Sequence, residues 1–262
     1  MQSFLLTFRS FFFMMLLGIV RTGAMFSVIP FFGKKNVMGM GRNAWIFGLT
    51  IFTYPISLHE LLNPNIGMGL TTMLCVKELV IGLVLGFLAS FIFFVVEGVG
   101  NLIDVQRGAS SASLFSAFNE SQTTVMADFF VQIVLLLFFI SGGFLFLLQL
   151  LYESYLLWPV FSLFPMFDGG VAAFFVQLTS DYANIVFALV GPILFALFLA
   201  EFGLGMVNRF APQLNVFFLS MGIKSGLSSL FLILYLSFLM GFFKSYFFGE
   251  NRALQFVRIF WR

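Results

Sequence analysis

Residues 66–99 read IGMGLTTMLCVKELVIGLVLGFLASFIFFVVEGV, apolar almost from end to end, with Lys77 and Glu78 as an adjacent charged pair inside the run. About 20 apolar residues, rising ~1.5 Å each, already cross a ~30 Å hydrocarbon core. This segment is too long for one straight crossing and predicts a broken or strongly tilted membrane helix. Val171–Gly203 is a second segment of the same kind, with Asp181 and Glu201 inside it and Pro192 predicting a kink, because proline removes a backbone donor from the helix ladder.

Outward from these two, apolar runs occupy Phe4–Phe32, Ala44–Leu62, Phe129–Tyr152 and Gly226–Phe248. The expected fold is an all-α membrane protein of about six long, partly kinked hydrophobic helices. Tyr155–Phe167, with Pro159 and Pro165, reads as a connector or re-entrant turn. Composition agrees: 61% of residues are hydrophobic and 9% charged, against roughly 25% charged in soluble domains. Phenylalanine, 42 of 262 residues, supplies packing surface for lipid or partner helices, or reflects nucleotide bias, and carries no mechanism. A net charge of +2 without a basic stripe argues against a nucleic-acid partner. The N-terminal run continues past Arg21 without a small-x-small cleavage site and reads as an uncleaved first membrane segment.

Charge in the loops strains a simple six-span topology. Lys34, Lys35 and Arg42 share an acid-free loop that the positive-inside rule puts in the cytoplasm. Six crossings in all would then leave the tail outside, although Lys244, Arg252, Arg258 and Arg262 face only Glu250 there. Either one segment does not cross, or the protein is no ordinary bilayer bundle.

Val95–Phe118, VVEGVGNLIDVQRGASSASLFSAF, is the most informative connection. The apolar segment is expected to stop at Glu97, followed by Asp104, Arg107 and a run of Gly, Ala and Ser. Irregular backbone is not tolerated facing lipid, so such a loop lines a water-filled path, packs inside protein, or is an ordinary polar connector. Intramembrane ionisable residues are functional candidates by default; here they are Glu97, Asp104, Arg107, Glu201, Arg209 and Lys224, weighed against a plain anchoring role at helix ends. Lys77 and Glu78 point different ways on a helix and predict contacts with other subunits. Gly82 and Gly86 have the spacing of a close helix approach, and Gly142–Gly143 predicts a kink or tight crossing.

Nothing assembles into a catalytic set. A GxxxxGK[ST] phosphate loop and HExxH are missing, and one cysteine (Cys75) and one histidine (His59) cannot supply a structural zinc site or a serine triad. No enzyme activity, metal or cofactor is expected.

Three stretches go beyond composition. Glu97-Gly98 with Ile103-Asp104-Val105-Gln106-Arg107-Gly108-Ala109 is the first. Phe139-Ile140-Ser141-Gly142-Gly143, followed by Ser154-Tyr155 and Trp158-Pro159, is the second. The third is Leu199-Ala200-Glu201-Phe202-Gly203-Leu204, then Arg209-Phe210-Ala211-Pro212-Gln213-Leu214-Asn215-Val216-Phe217 and Lys224-Ser225-Gly226. Together, in order and spacing, they resemble the FliR/SctT family of type III secretion export-gate proteins over essentially the whole chain. Arg107 makes the first stretch similar to the virulence-associated injectisome branch. Phe118-Asn119-Glu120 stands where many relatives carry a proline, which bears on the loop tip.

The resemblance implies a non-enzymatic core subunit of the export gate in the bacterial inner membrane, within the secretion basal body. Implied partners are FliP/SctR-like, FliQ/SctS-like and FlhB/SctU-like subunits, the basal-body ring, membrane lipid and the unfolded polypeptides that are secreted. It further implies a FliP/SctR-like part over 1–170 and a FliQ/SctS-like hairpin with a basic tail over 171–262. The loop near 104–118, with Asp104, Gln106, Arg107, Gly108, Ala109, Ser110 and Ser111, corresponds to the family's plug. Glu97, Gly142, Gly143, Glu201, Arg209, Pro212, Asn215 and Lys224 are the expected assembly residues. The alternative is an ion- or proton-coupled transporter of small solutes, with Glu97 or Glu201 as coupling carboxylate.

Overall fold

The computed structural model describes residues 2–33, 39–57, 68–108, 124–162, 170–211, 213 and 215–249. Every regular element among them is helical. In chain order they are α1 (Gln2–Val28), a 3-10 turn (Pro30–Phe32), α2 (Gly39–Ser57), α3 (Met68–Arg107), α4 (Val125–Ile140), α5 (Gly143–Leu157), α6 (Gly170–Phe210) and α7 (Val216–Gly249).

The two overlong segments are neither broken nor short. α3 holds 40 residues and α6 holds 41, so each is about 60 Å long, twice the hydrocarbon core. α6 continues through Pro192. α3 runs ten residues beyond Glu97, to Arg107, so Asp104, Gln106 and Arg107 are helical and not part of a flexible loop. No proline interrupts that stretch, so the helix continues through it. The run Phe129–Tyr152, by contrast, is divided. α4 ends at Ile140, and Gly142 adopts a left-handed backbone (φ 77°) as the residue before α5. That conformation favours glycine, and a Cβ at Gly142 would meet nothing within 4 Å. Gly142 therefore marks a kink. The expected connector from Tyr155 begins later: α5 continues to Leu157, and Trp158–Ser162 leave it as a turn. Pro165 lies outside the described residues.

Among the described residues, four helices are long and apolar enough to cross a membrane: Phe11–Val28, Gly69–Arg107, Ala172–Phe210 and Val216–Phe242. The broken pair α4–α5 makes a fifth if it counts as one span, and α2 is not among them. If the broken pair is one span, four candidate spans follow the basic residues 34–42 among the described residues, the even number that a basic loop and a basic tail on one side of a membrane require.

The chain forms two compact units, interleaved in sequence. The described parts of Met1–Phe91 and Gly142–Phe174 belong to the first, and Ile92–Ser141 with Phe175–Glu250 form the second. In the first, α1 lies directly on α3. A Cβ added at Gly82 or Gly86 would collide with the backbone carbonyl oxygens of Arg21 and Met25, so the glycine spacing is a helix contact inside this chain. Leu17, Met25, Phe26, Leu74, Leu85, Leu150 and Leu151 are buried around it. In the second unit Phe93 and Phe138 stack edge to face at 5.6 Å. Val95, Val99, Ile103, Phe130, Val134, Val190 and Leu197 fill its interior.

Candidate functional site

The last two turns of α3 and the first turn of α4 bracket residues 109–123, and a set of polar contacts fastens these two helix ends together. Gly100 admits the backbone of Met126–Ala127 where any Cβ would collide. One residue on, Asn101 Oδ1 accepts the Thr124 hydroxyl at 2.5 Å. Thr124 sits at the N-cap of α4 yet makes no side-chain cap to its own helix. Asp104, fully buried, takes that role across the gap: its Oδ2 accepts the Met126 N–H at 3.0 Å. A carboxylate at a helix N-terminus is favoured by the unpaired N–H groups and by the helix dipole. Its other oxygen pairs with Arg107 Nη2 at 2.7 Å, one turn along α3. Arg107 is also the basic residue of the last turn of α3, where a cation complements the helix C-terminus. Gly108 then closes α3 in the left-handed region (φ 88°), its N–H donating to Val105 O. A side chain there would touch Met221 of α7.

Two further helices brace this neck. Gln106 Nε2 donates to Glu201 Oε2 at 3.4 Å, and Lys224 Nζ stands 3.5 Å from the same oxygen. α3, α6 and α7 are thereby joined through Glu201, whose side chain remains 54% exposed while that of Lys224 is 8% exposed. Lys224 and Glu201, both among the expected assembly residues, thus meet each other within this chain. Arg209 is exposed near the end of α6, with no ion pair among the described residues. Asn215 precedes α7, and its carbonyl accepts the Leu219 N–H at 3.3 Å. Glu97 is exposed on α3. Ala109, Ser110, Ser111 and Pro212 lie outside the described residues.

The second polar centre lies in the other unit and centres on a residue that the sequence reading passed over. Arg21, in the middle of α1, is fully buried and spends all five of its N–H donors. Nε and Nη2 grip Glu78 at 2.5 and 2.9 Å. Nη1 donates to the carbonyl and hydroxyl of Ser154 at 2.9 and 3.3 Å, and Nη2 to Trp158 O at 2.9 Å. The guanidinium also lies 4.1 Å from the centre of the Tyr155 ring, a cation–π contact. Lys77 donates to the carbonyls of Pro159, Val160 and Ser162 at 2.7–3.0 Å and contacts Glu78 Oε1 at 2.9 Å. The expectation that Lys77 and Glu78 reach toward other subunits is thus corrected. Being adjacent, they face two ways, and both ways lead to partners in this chain. An arginine inside the first apolar run and a glutamate inside the third were the available signal.

Both centres spend their hydrogen-bonding capacity on holding helices and turns in place. They belong to a membrane-embedded scaffold, and one of them lies at the base of the connection over residues 109–123. Comparison with known proteins supplies the family. The model of "Bacterial export proteins, family 1" matches residues 12–249, and the chain belongs to that family, the FliR/SctT family. It is 39% identical to Yop proteins translocation protein T of Yersinia pestis over 81% of each chain. It is 30% identical to the surface presentation of antigens protein SpaR of Salmonella typhimurium, over 84% of this chain and 82% of that one. To the flagellar biosynthetic protein FliR of Bacillus subtilis it is 30% identical, over 85% of each. The higher identity to translocation protein T agrees with the branch expected from Arg107.

Proposed function

We propose that the protein is a non-enzymatic core subunit of a type III export gate in the bacterial inner membrane, and that residues 109–123 are its plug. The observation that carries this reading is the neck. Asn101, Asp104 and Gly100 hold the ends of α3 and α4 together, so residues 109–123 depart from and return to one braced point. The first five of them, Ala109–Ser113, are all Ala or Ser, and side chains this small have few packing contacts to break when an unfolded polypeptide must pass. FliP/SctR-like, FliQ/SctS-like and FlhB/SctU-like subunits are the proposed partners, with the first part of the chain to residue 170 FliP/SctR-like and α6–α7 FliQ/SctS-like. The apolar surface left on the C-terminal helices supports such assembly: 28% of the α6 span and 11% of the α7 span are buried within the chain, against 61% for α3.

Deleting 109–113 while sparing Gly108 tests the plug. The complex should assemble at normal yield, and the inner membrane should become permeable to ions and small solutes. Unchanged permeability and unchanged secretion would reduce the segment to a connector.

A further inference from the structure

We propose that the turn leaving α5 is a binding site for a monovalent cation of ammonium or potassium size, which this chain fills with the tethered ammonium of Lys77. The site lies within the first unit. Its oxygens are the carbonyls of Pro159, Val160 and Ser162, at 2.9, 2.7 and 3.0 Å from Lys77 Nζ, and Glu78 Oε1 at 2.9 Å. An ammonium group has three donors, yet four oxygens surround this one. That ratio is the coordination of a compact point charge and not a match of one donor to one acceptor. Converging backbone carbonyls replace the hydration shell of a potassium ion in channel filters, and ammonium is close to potassium in size.

The turn attracts positive charge for a reason that lies in α5. Carbonyls at a helix C-terminus lack intrahelical partners, and the helix dipole makes that end negative. α5 carries no basic residue in its last turn, so the cations come from other helices. Arg21 of α1 takes the carbonyls of Ser154 and Trp158, and Lys77 of α3 takes those beyond. The two are not equivalent. The guanidinium is a planar fork whose directions are fixed by Glu78 and Ser154, whereas the ammonium is a compact charge that a free ion can imitate. Its side chain is 9% exposed, and that of Glu78 is fully buried. Cutting the tether would leave these oxygens converging on a space without a cation, and buried acceptors with fewer partners are unfavourable.

The test is chemical rescue of Lys77→Ala, in the complex extracted from the membrane with detergent. Its thermal midpoint should lie below that of the wild type. Methylammonium, ammonium or potassium chloride should raise it, with a shift that grows with the logarithm of concentration, as for a ligand bound by the folded state alone. Choline chloride at equal ionic strength should leave it unchanged, and the wild type, whose site is filled, should show no difference among these salts. A recovery that choline matches is screening alone and overturns the proposal, as does no recovery or an equal shift in the wild type. Lys77→Met, which fills the space of the stem without charge, should stay low in every salt, and a wild-type midpoint in that variant would overturn the cation site. Where Lys77→Ala yields too little complex, the wild type supplies the measurement: amine-reactive labelling read by mass spectrometry should spare Lys77 until the complex is denatured. Labelling at the same rate in the native and the denatured complex would overturn the proposal.

Discussion

Glu78 carries more of the buried charge balance than Arg21 does, since it faces two cations and Arg21 faces one carboxylate. Truncating one member of a buried pair typically costs ~3–5 kcal/mol because its partner is stranded. Glu78→Ala strands both Arg21 and Lys77. Arg21→Ala leaves Glu78 with Lys77. The glutamate variant should therefore be the more damaging, with the larger fall in membrane-extracted complex and in thermal midpoint. Arg21→Met combined with Glu78→Met, which removes both charges and keeps volume, should recover part of the loss. If Arg21→Ala is the worse of the two single changes, the carbonyls of Ser154 and Trp158 matter more to this centre than the carboxylate does. At the same scale, Asp104 shows how a residue's work differs from its sequence neighbourhood: a carboxylate seven residues past the expected helix end is a buried cap for a different helix.

Among the elements, the contact of α1 with α3 is the one most sharply constrained by residue type. A methyl at Gly82 or Gly86 has no flexible side-chain end to displace: it would meet the backbone carbonyls of Arg21 and Met25 and the Cβ atoms of Ala24 and Val28. Overpacking of this kind costs typically ~1–3 kcal/mol, so Gly82→Ala and Gly86→Ala should each lower complex yield and thermal midpoint. Gly203→Ala on α6 meets nothing within 4 Å and replaces a poor helix former by the best one. It should be neutral or slightly stabilising in the same assay. Equal effects at all three positions would show that helix propensity, and not the close approach, sets the outcome. The end of α3 differs from its sequence expectation for a related reason. Charge and glycine after Glu97 predict a loop, yet Gly98 and Gly100 lie in a helix and make room for Tyr182 and for α4.

For the whole molecule, the exposed apolar surface decides behaviour. Phe195, Phe198, Phe202, Met206 and Phe210 on α6, with Phe217, Phe218, Ile233, Leu234 and Phe238 on α7, stand exposed. Apolar area of this extent marks contact with lipid or protein. Expressed alone, the protein should aggregate or be degraded. With FliP/SctR- and FliQ/SctS-like proteins it should purify as one heteromeric complex, checked by size-exclusion chromatography in detergent. A monodisperse, solute-binding monomer would instead revive the transporter reading. Lys77 and Glu78 no longer contribute to this expectation, since both are satisfied within the chain.

Class, helix content and family were legible before any coordinates, because they follow from local quantities: runs of apolar residues, their lengths, and blocks such as Arg209–Phe217 that need no contact partner to be recognised. The kink at Gly142 and the close approach at Gly82 and Gly86 were legible for the same reason, since glycine announces a backbone requirement at its own position. What joins distant residues was not. Nothing local says that Arg21 meets Glu78, that Lys77 binds the turn after Pro159, or that Asp104 caps α4 while Gln106 and Lys224 share Glu201. A charge in an apolar run declares only that a partner must exist. Which partner it finds depends on how the helices pack, and that choice is made by tertiary structure.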